Sequence, residues 1–110
     1  MTDTADLATT FQALGDPTRR AIVDRLVGGD ATVNELAGLF PISLQAVSKH
    51  IKVLEAASVV SRRKDGQTRP VHLEPASLDR TADWVEAHRR RLEARYERLD
   101  ELLERRKGAT

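Results

Sequence analysis

Neither glycine nor proline occurs between Ala76 and about Lys107. Apolar residues recur there every seven positions, with others set between them: Leu78, Val85, Leu92 and Leu99, then Ala82, Tyr96 and Leu103. This period predicts one long helix with a coiled-coil-like stripe. Arg89 falls in the same register and interrupts the stripe. In a chain of 110 residues, such a helix leaves room for one small domain.

The composition predicts an aliphatic core and excludes several classes of site. Hydrophobic residues make up 40% of the chain but aromatic residues only 4%, so burial against a second subunit would add stability. The chain has no cysteine, which excludes disulfides, thiolate zinc sites, iron–sulfur clusters and cysteine nucleophiles. No apolar stretch approaches the roughly 18 residues of a membrane span, and the polar start at Met1 is unlike a signal peptide. We expect a cytoplasmic protein without membrane contact.

Two helices are predicted in the first quarter of the chain. Leu7 and Phe11 lie on one edge of a helix over about residues 5–14. Asp16-Pro17 provides an N-cap and a first-turn proline for the second helix, because proline's fixed φ suits that position. Gly28-Gly29 then ends the second helix.

A helix-turn-helix is predicted over about residues 32–57. Thr32 and Glu35 have the spacing of a capping box and begin a short third helix that extends to about residue 39. Ser43 is placed to cap a fourth helix from Leu44 to about Ala57.

A β-hairpin, or wing, is predicted over about residues 59–73. Two runs with the period of a strand, 59–64 and 67–73, flank Asp65-Gly66. This dipeptide supplies the positive φ values that a two-residue hairpin loop needs. The predicted fold class is therefore mainly α, with a two-stranded β wing and a long C-terminal helix.

The fourth helix has two chemically different faces at 100° per residue. One face is apolar apart from a histidine and is predicted to pack inward: Ala46, Val47, His50, Ile51, Leu54 and Ala57. The other face suits a DNA major groove: Leu44, Gln45, Ser48, Lys49 and Lys52. Lysine can approach guanine or phosphate, glutamine can pair with adenine, and leucine can touch a thymine methyl group. Ser43 is interpreted first as a cap and second as a phosphate contact.

Positive charge is concentrated in residues 43–73, where six basic residues face two acidic ones, a net charge of +4. The predicted wing contributes four of these cations: Arg62, Arg63, Lys64 and Arg69. They can follow phosphates or enter a minor groove, or they can simply keep a strand edge soluble and unpaired. Next to the polar face of the fourth helix, DNA binding is the better interpretation.

These motifs resemble those of the ArsR family of small dimeric bacterial winged-helix repressors. The resemblance covers about residues 7–75 and lies in three runs and the wing: 13–20 (ALGDPTRR), 34–37 (NELA) and 46–55 (AVSKHIKVLE). It implies a homodimer built from the first and last helices, with the fourth helix of each subunit in successive major grooves. It also implies repression of transcription, often of the protein's own operon, until a signal releases the DNA.

The interface that this resemblance implies coincides with the apolar stripes. The predicted dimer residues are Leu7, Phe11, Leu78, Ala82, Val85, Leu92, Tyr96 and Leu99.

Metal-sensing members of the family use a cysteine pair on the third helix, or carboxylates and histidines on the last helix. Here the third helix carries residues 35–38 (ELAG), and the last helix offers only Asp79, Asp83, Glu86 and His88 near the expected place. The chain therefore resembles the metal-independent branch, and no metal or other cofactor is expected.

Several polar residues have a structural interpretation beside the functional one. Arg19 and Arg20 either clamp a phosphate or pair with Asp16 and Asp24. His50 is predicted to be packed and hydrogen-bonded, because it projects to the apolar face.

On the last helix, Trp84 is interpreted as interface packing rather than as the wall of a pocket. Residues 89–91 are arginines, for which ion pairs with Glu86 and Glu93 are favoured over DNA contact. His72, on the second strand, is predicted to be a surface or wing residue.

The residues together predict a single winged helix-turn-helix domain with a long C-terminal dimerisation helix. Its predicted function is that of a homodimeric repressor on an inverted-repeat operator of double-stranded DNA. No nucleophile, base and orienting group occur together as an enzyme would need. Two alternatives stay open. One is a sensor that binds an unknown small molecule or a metal at the dimer interface, and the other is a protein-interaction module on a winged-helix scaffold.

Overall fold

A computed structural model describes the backbone of residues 2–108 and the side chains of residues 7–108. Over that range, five helices and one hairpin follow in this order: α1 (Thr2–Ala13), α2 (Pro17–Leu26), α3 (Val33–Ala37), α4 (Leu44–Ala56), β1 (Val60–Arg62), β2 (Val71–Leu73) and α5 (Pro75–Gly108). The predicted fold class is confirmed. Helix ends differ from the prediction by up to three residues, which is ordinary because helix ends fray.

The helix starts that were predicted from capping residues are confirmed. The Asp16 carboxylate accepts a hydrogen bond from the backbone N–H of Arg19 at 3.0 Å. Thr32 and Glu35 form both bonds of a capping box, at 3.1 and 2.9 Å. The Ser43 hydroxyl accepts from the backbone N–H of Ala46 at 3.1 Å. Each cap satisfies a donor that the first turn of a helix leaves unpaired.

The core is aliphatic, as the composition predicts. Its fully buried members come from the helices, the hairpin and the loop before α3: Ile22, Leu36, Val47, Ile51, Leu54, Val59, Val60 and Val71, with Ala13, Val23, Leu26, Ala31 and Ala57 beside them. The inner face of α4 lies at the centre of this core. The opposite face of α4 is therefore directed outward.

The wing is an antiparallel pair in which Val60 lies opposite Leu73 and Arg62 opposite Val71. The predicted position of its turn is wrong by one residue. Asp65 and Thr68 form a bridge with two backbone hydrogen bonds of 3.0 Å, so the two-residue loop is Gly66-Gln67 rather than Asp65-Gly66. The strand register sets this position, and Gly66, with φ of 63°, supplies the positive value that the first loop residue needs.

Two backbone features that the sequence pattern does not reveal join the helices to the wing. Ala31, in the loop before α3, forms a bridge with Val71 of β2 through hydrogen bonds of 2.7 and 3.2 Å. At the end of α4, Ser58 has φ of 60°. Its N–H donates to the Glu55 carbonyl, and the Val59 N–H donates to that of Leu54. These two bonds form a Schellman motif with serine at the position that glycine usually occupies.

Helix α5 has 34 residues and is about 51 Å long at 1.5 Å per residue. The described chain measures 75 × 33 × 21 Å along its principal axes, so the molecule is elongated. The second half of α5 is exposed on all sides.

Candidate nucleic-acid interface

The outer face of α4 is a continuous polar surface. Leu44, Gln45, Lys49 and Lys52 are exposed and Ser48 is half-buried, while Val47, Ile51 and Leu54 anchor the opposite face in the core. The five outward residues share one side of a helix whose position is fixed by the three buried ones. This arrangement is able to present an amide, a hydroxyl and two ammonium groups to the floor of a groove.

The turn that leads into α4 adds apolar surface. Ile42 and Leu44, on either side of the capping Ser43, are both exposed. The Ser43 hydroxyl oxygen accepts the capping bond, which leaves its proton free to donate. Leu44 was predicted from the sequence as a contact residue and Ile42 was not, because an apolar residue before a helix is usually a packing residue.

The wing cations differ in how firmly they are held. Arg62 donates two hydrogen bonds, of 2.8 and 2.9 Å, to the backbone carbonyl of Arg69 across the hairpin. Arg63 lies 3.6 Å from the Glu74 carboxylate, which also accepts a bond from the hydroxyl of Ser61 at 2.6 Å. Arg62 therefore stiffens the ribbon, whereas the side chains of Lys64 and Arg69 are exposed near its tip.

A polar cluster joins the back of α4 to the end of α1. Arg19 donates from Nε to the Ala13 carbonyl at 2.6 Å and from a terminal nitrogen to the Gln12 carbonyl at 3.2 Å. Its other terminal nitrogen lies 3.3 Å from Nδ1 of His50. His50 Nδ1 also lies 3.9 Å from Asp16. The backbone N–H of Arg19 lowers the pKa of the Asp16 carboxyl below its ordinary value, and the charges of His50 and Arg19 add to this effect.

Three of the polar residues discussed in the sequence have defined contacts here. The prediction of a packed, hydrogen-bonded His50 is confirmed. The guanidinium groups of Arg19 and Arg20 bind backbone carbonyls at the end of α1 and form no ion pair with Asp16 or Asp24. Arg20 donates to the Leu14 carbonyl at 2.8 Å. The final carbonyls of a helix need donors, but the sequence does not show which arginine reaches them.

His72 is half-buried in the wing, and Nδ1 of its ring lies 2.8 Å from the Asp30 carboxylate. The prediction of a surface or wing residue is confirmed, because His72 lies on β2 of the wing, but the sequence did not indicate its contact with Asp30. The missed pair sits beside the bridge between Ala31 and Val71 and reinforces the contact of the α3 loop with the wing.

The predicted dimer residues lie along one side of α5 and on α1. Leu7 and Leu78 are half-buried, and the others are exposed: Phe11, Ala82, Val85, Leu92, Tyr96 and Leu99. The ring of Phe11 meets that of Trp84 edge-on at 5.5 Å, and Trp84 stacks on His88 at 4.0 Å.

The predicted ion pairs on α5 are confirmed for Arg89 and Arg90. Arg89 donates to Glu86 at 2.7 and 2.8 Å and to Glu93 at 2.9 Å. Arg90 lies 3.7 Å from Glu86. The hydrogen bonds from Arg89 lower the pKa of the Glu86 carboxyl, and the same contact raises the pKa of Arg89.

Two kinds of feature are absent from the described residues. No three or more histidine, aspartate or glutamate side chains come together in a group that could hold a metal ion. None of the described helices is both long and apolar enough to span a bilayer.

Known proteins match this chain over the helix-turn-helix and its surrounding helices. A family model described as a helix-turn-helix domain matches residues 14–63. The HTH-type transcriptional regulator Rv2034 of Mycobacterium tuberculosis is 50% identical over 68 residues, which cover 62% of this chain and 64% of that protein. This match thus spans a little under two thirds of that relative. The transcriptional repressor SdpR of Bacillus subtilis is 39% identical over 75 residues, 68% of this chain and 83% of SdpR.

Among solved structures, the chain is similar to an ArsR-like transcriptional regulator from Rhodococcus sp. RHA1. The TM-score is 0.81 at 30% sequence identity, and the match covers 93% of this chain and 96% of the other. The likeness includes most of α5 as well as the helix-turn-helix and the wing. The chain therefore belongs to the ArsR family of winged helix-turn-helix transcriptional regulators, which are DNA-binding proteins and not enzymes.

Proposed function

We propose that this protein is a homodimeric repressor that binds an inverted-repeat operator in the cytoplasm, with α4 of each subunit in a major groove. Two-fold symmetry then sets the centres of the half-sites about 10 bp apart, or a multiple of that. The relative SdpR is named a repressor, which supports this direction of regulation. Repression of the protein's own operon is part of the proposal.

The observation that carries the proposal is the exposed polar face of α4. Helix α4 buries Val47, Ile51 and Leu54 in the core. Its opposite face, with Gln45 and Lys49, is exposed and is therefore available to a ligand. The wing extends this surface with cations. The electrostatic part of DNA affinity needs such cations, whereas sequence preference needs groups that reach base edges.

We assign base contacts to Gln45, Ser48, Lys49 and Leu44, and phosphate contacts to a second group: Ser43, Lys52, Arg62, Arg63, Lys64 and Arg69. Within this second group, Lys64 and Arg69 provide most of the electrostatic contact, because Arg62 and Arg63 are partly engaged by the hairpin and by Glu74.

The direct test is selection of bound fragments from a random DNA pool at two salt concentrations, followed by affinity measurements on the enriched site. We expect an inverted repeat and an affinity that falls steeply with salt. Gln45→Ala should lose discrimination at one base position in each half-site, by about 1–3 kcal/mol. Lys64→Ala should weaken all sequences alike and reduce the salt slope by about one.

Equal and sequence-independent losses in Gln45→Ala and Lys64→Ala would contradict the division between base and phosphate contacts. No measurable DNA affinity at about 50 mM salt, where phosphate contacts are strong, would favour the protein-interaction module. Release of bound DNA by a metabolite or a divalent metal ion would identify the protein as a sensor.

A further inference from the structure

An open cleft lies where the end of α4, the first strand of the wing and the start of α5 meet. Its volume is about 380 Å³, within the range of roughly 300–1,000 Å³ that is usual for small-molecule sites. The polar lining comes from these three elements and the turns beside them: Glu55, Ser58, Ser61, Glu74, Ser77 and Arg80. The cleft is therefore large enough for a small polar ligand.

Three of the lining residues are held by contacts within the protein. The Ser61 hydroxyl donates to the Glu74 carboxylate at 2.6 Å, and Arg63 lies 3.6 Å from the same carboxylate. Ser77 is buried, and its hydroxyl donates to the Glu74 backbone carbonyl at 3.3 Å. These contacts fix the side of the cleft that the wing and the start of α5 form, so this surface exists before a ligand binds.

Two opposite charges in the cleft are not paired. Glu55, at the end of α4, and Arg80, on the second turn of α5, are both exposed. Neither side chain forms a hydrogen bond or an ion pair with the other or with any residue from 7 to 108. Because both line one cleft without touching, the space between them is open to a ligand. A ligand with a single charge would leave one of them unused, whereas a zwitterion would pair with both.

The backbone of Ser58 adds an independent observation at the same cleft. Ser58 has φ of 60°, and its hydroxyl forms no hydrogen bond with any residue from 7 to 108. Backbone strain of this kind is common where proteins bind ligands. Glycine would avoid the strain but would remove a hydroxyl group from the cleft. The serine therefore supplies a polar group to the cleft at the expense of stability.

The cleft is separate from both surfaces that the proposed function uses. Arg80 follows Leu78 by two positions and so lies about 200° around α5 from the predicted dimer residue. Glu55 follows Gln45 by ten positions and lies about 15 Å along α4 from the residue assigned to base contact. A second subunit and a DNA duplex at their proposed places would leave the cleft accessible.

We propose that this cleft binds a small zwitterion of the amino acid class, with its carboxylate on Arg80 and its ammonium group on Glu55. A guanidinium group can donate two parallel hydrogen bonds to a carboxylate, and the Glu55 carboxylate accepts from an ammonium group. The hydroxyls of Ser58 and Ser61 favour a polar ligand side chain over a large apolar one. This site is additional to the proposed function and does not depend on it, because the ligand binds the protein without DNA.

A titration followed by the amide chemical shifts of the isotope-labelled, full-length protein tests the proposal. The probes are the common L-amino acids, added one at a time without DNA. We expect at least one with a polar side chain to give saturable shifts confined to about residues 55–61 and 74–80. The dissociation constant should be in the millimolar range or tighter, because ion pairs with exposed side chains contribute little each.

Derivatives of the amino acid that binds best test whether both of its charges are recognised. The amide of that amino acid keeps the ammonium group and loses the carboxylate, and the N-acetyl derivative keeps the carboxylate and loses the ammonium group. Each should bind more weakly than the parent by roughly tenfold or more, the value of a hydrogen bond between charged groups. Equal binding of the parent and both derivatives would overturn the proposal.

Variants test the two charged residues. Arg80→Gln and Glu55→Gln should each weaken binding by roughly tenfold or more, and both side chains are exposed, so the fold should be kept. Arg95→Gln is the matched control, because Arg95 is an exposed arginine about 22 Å along α5 from Arg80. It should bind like the wild type. The double variant Glu55→Lys, Arg80→Glu exchanges the two charges and should recover binding with the ligand reversed.

Two results would overturn the proposal. One is the absence of saturable shifts in the cleft with every amino acid tested, and the other is unchanged affinity in both Arg80→Gln and Glu55→Gln. Neither result affects the proposed function, which fails separately if the protein has no affinity for DNA.

Discussion

At the scale of single residues, Ser58 has a backbone conformation that lowers the stability of the folded chain. Its φ of 60° lies in the left-handed region, which a residue with a Cβ atom occupies at a cost of about 1–2 kcal/mol. Ser58→Gly should raise the free energy of unfolding by about 1 kcal/mol, because glycine has no Cβ atom to approach the following carbonyl oxygen. Urea denaturation measures the change. Ser58→Ala keeps the Cβ atom and should give no gain, and an equal gain in both variants would contradict the explanation.

Arg19 has a structural role that its position in an arginine pair conceals. Arg19→Ala removes two hydrogen bonds to carbonyls at the end of α1 and the contact with His50. It should lower the free energy of unfolding by about 1–3 kcal/mol, the range for hydrogen bonds from a charged donor. Arg19→Lys should recover little of this stability, because an ammonium group cannot reproduce the planar set of donors that the guanidinium group directs at the two carbonyls.

The matched control for Arg19 is Arg20→Ala, which loses one bond from an exposed side chain and should cost less. Equal losses in the two alanine variants, measured by urea denaturation, would show that the contact with α4 adds nothing.

At the scale of elements, the helix starts predict how stability depends on pH. Asp16 caps α2 and Glu35 completes the capping box of α3, and in each case a hydrogen bond from a backbone N–H is the main cause of a lowered carboxyl pKa. The unfolded chain therefore binds more protons than the folded chain as the pH falls through and below the ordinary values of 3.8 and 4.5. The free energy of unfolding should fall on acidification in this range.

Chemical denaturation at a series of pH values checks this slope. Asp16→Asn keeps a side-chain acceptor at the cap but removes the titrating group, so its stability should change less between pH values above and below this range. If the free energy of unfolding of Asp16→Asn depended on pH as steeply as that of the wild type, the Asp16 carboxyl would not contribute to the pH dependence.

Elements specified by neighbouring residues were predictable from the sequence, and contacts between distant residues were not. The caps at Asp16, Thr32 and Ser43 depend on groups three residues away, so their spacing identified them. The pair of Asp30 with His72 joins residues 42 positions apart, and no local pattern contains it. The loop at Gly66-Gln67 was misplaced because the strand register, rather than the favoured Asp-Gly dipeptide, determined the turn.

The candidate site followed the same division. The outward face of α4 was predictable, because a helical period separates Gln45 and Lys49 from buried Val47 and Ile51. The hydrogen bonds from Arg62 to the Arg69 carbonyl were not predictable. A row of cations in a sequence does not show which of them bind the backbone.

At the scale of the whole molecule, the second half of α5 should control assembly of the dimer without controlling the fold of the subunit. Leu99→Asp places a charge in the predicted dimer interface, while Leu99 is about half exposed in the single chain. The variant should sediment as a folded monomer and lose most of its affinity for an inverted repeat. Ala94→Asp, on the opposite face of the same helix, should stay dimeric. A dimeric Leu99→Asp variant would contradict the assignment of Leu99 to the dimer interface.

The bridge between Ala31 and Val71 has a consequence for the thermodynamics of operator binding. It ties the loop before α3 to β2 by two backbone hydrogen bonds, so the hairpin cannot swing independently of the helices that would enter the groove. A preassembled surface loses little conformational entropy on association. Calorimetry on a half-site should accordingly give a heat-capacity change that matches the contact area alone, without the excess that accompanies coupled folding.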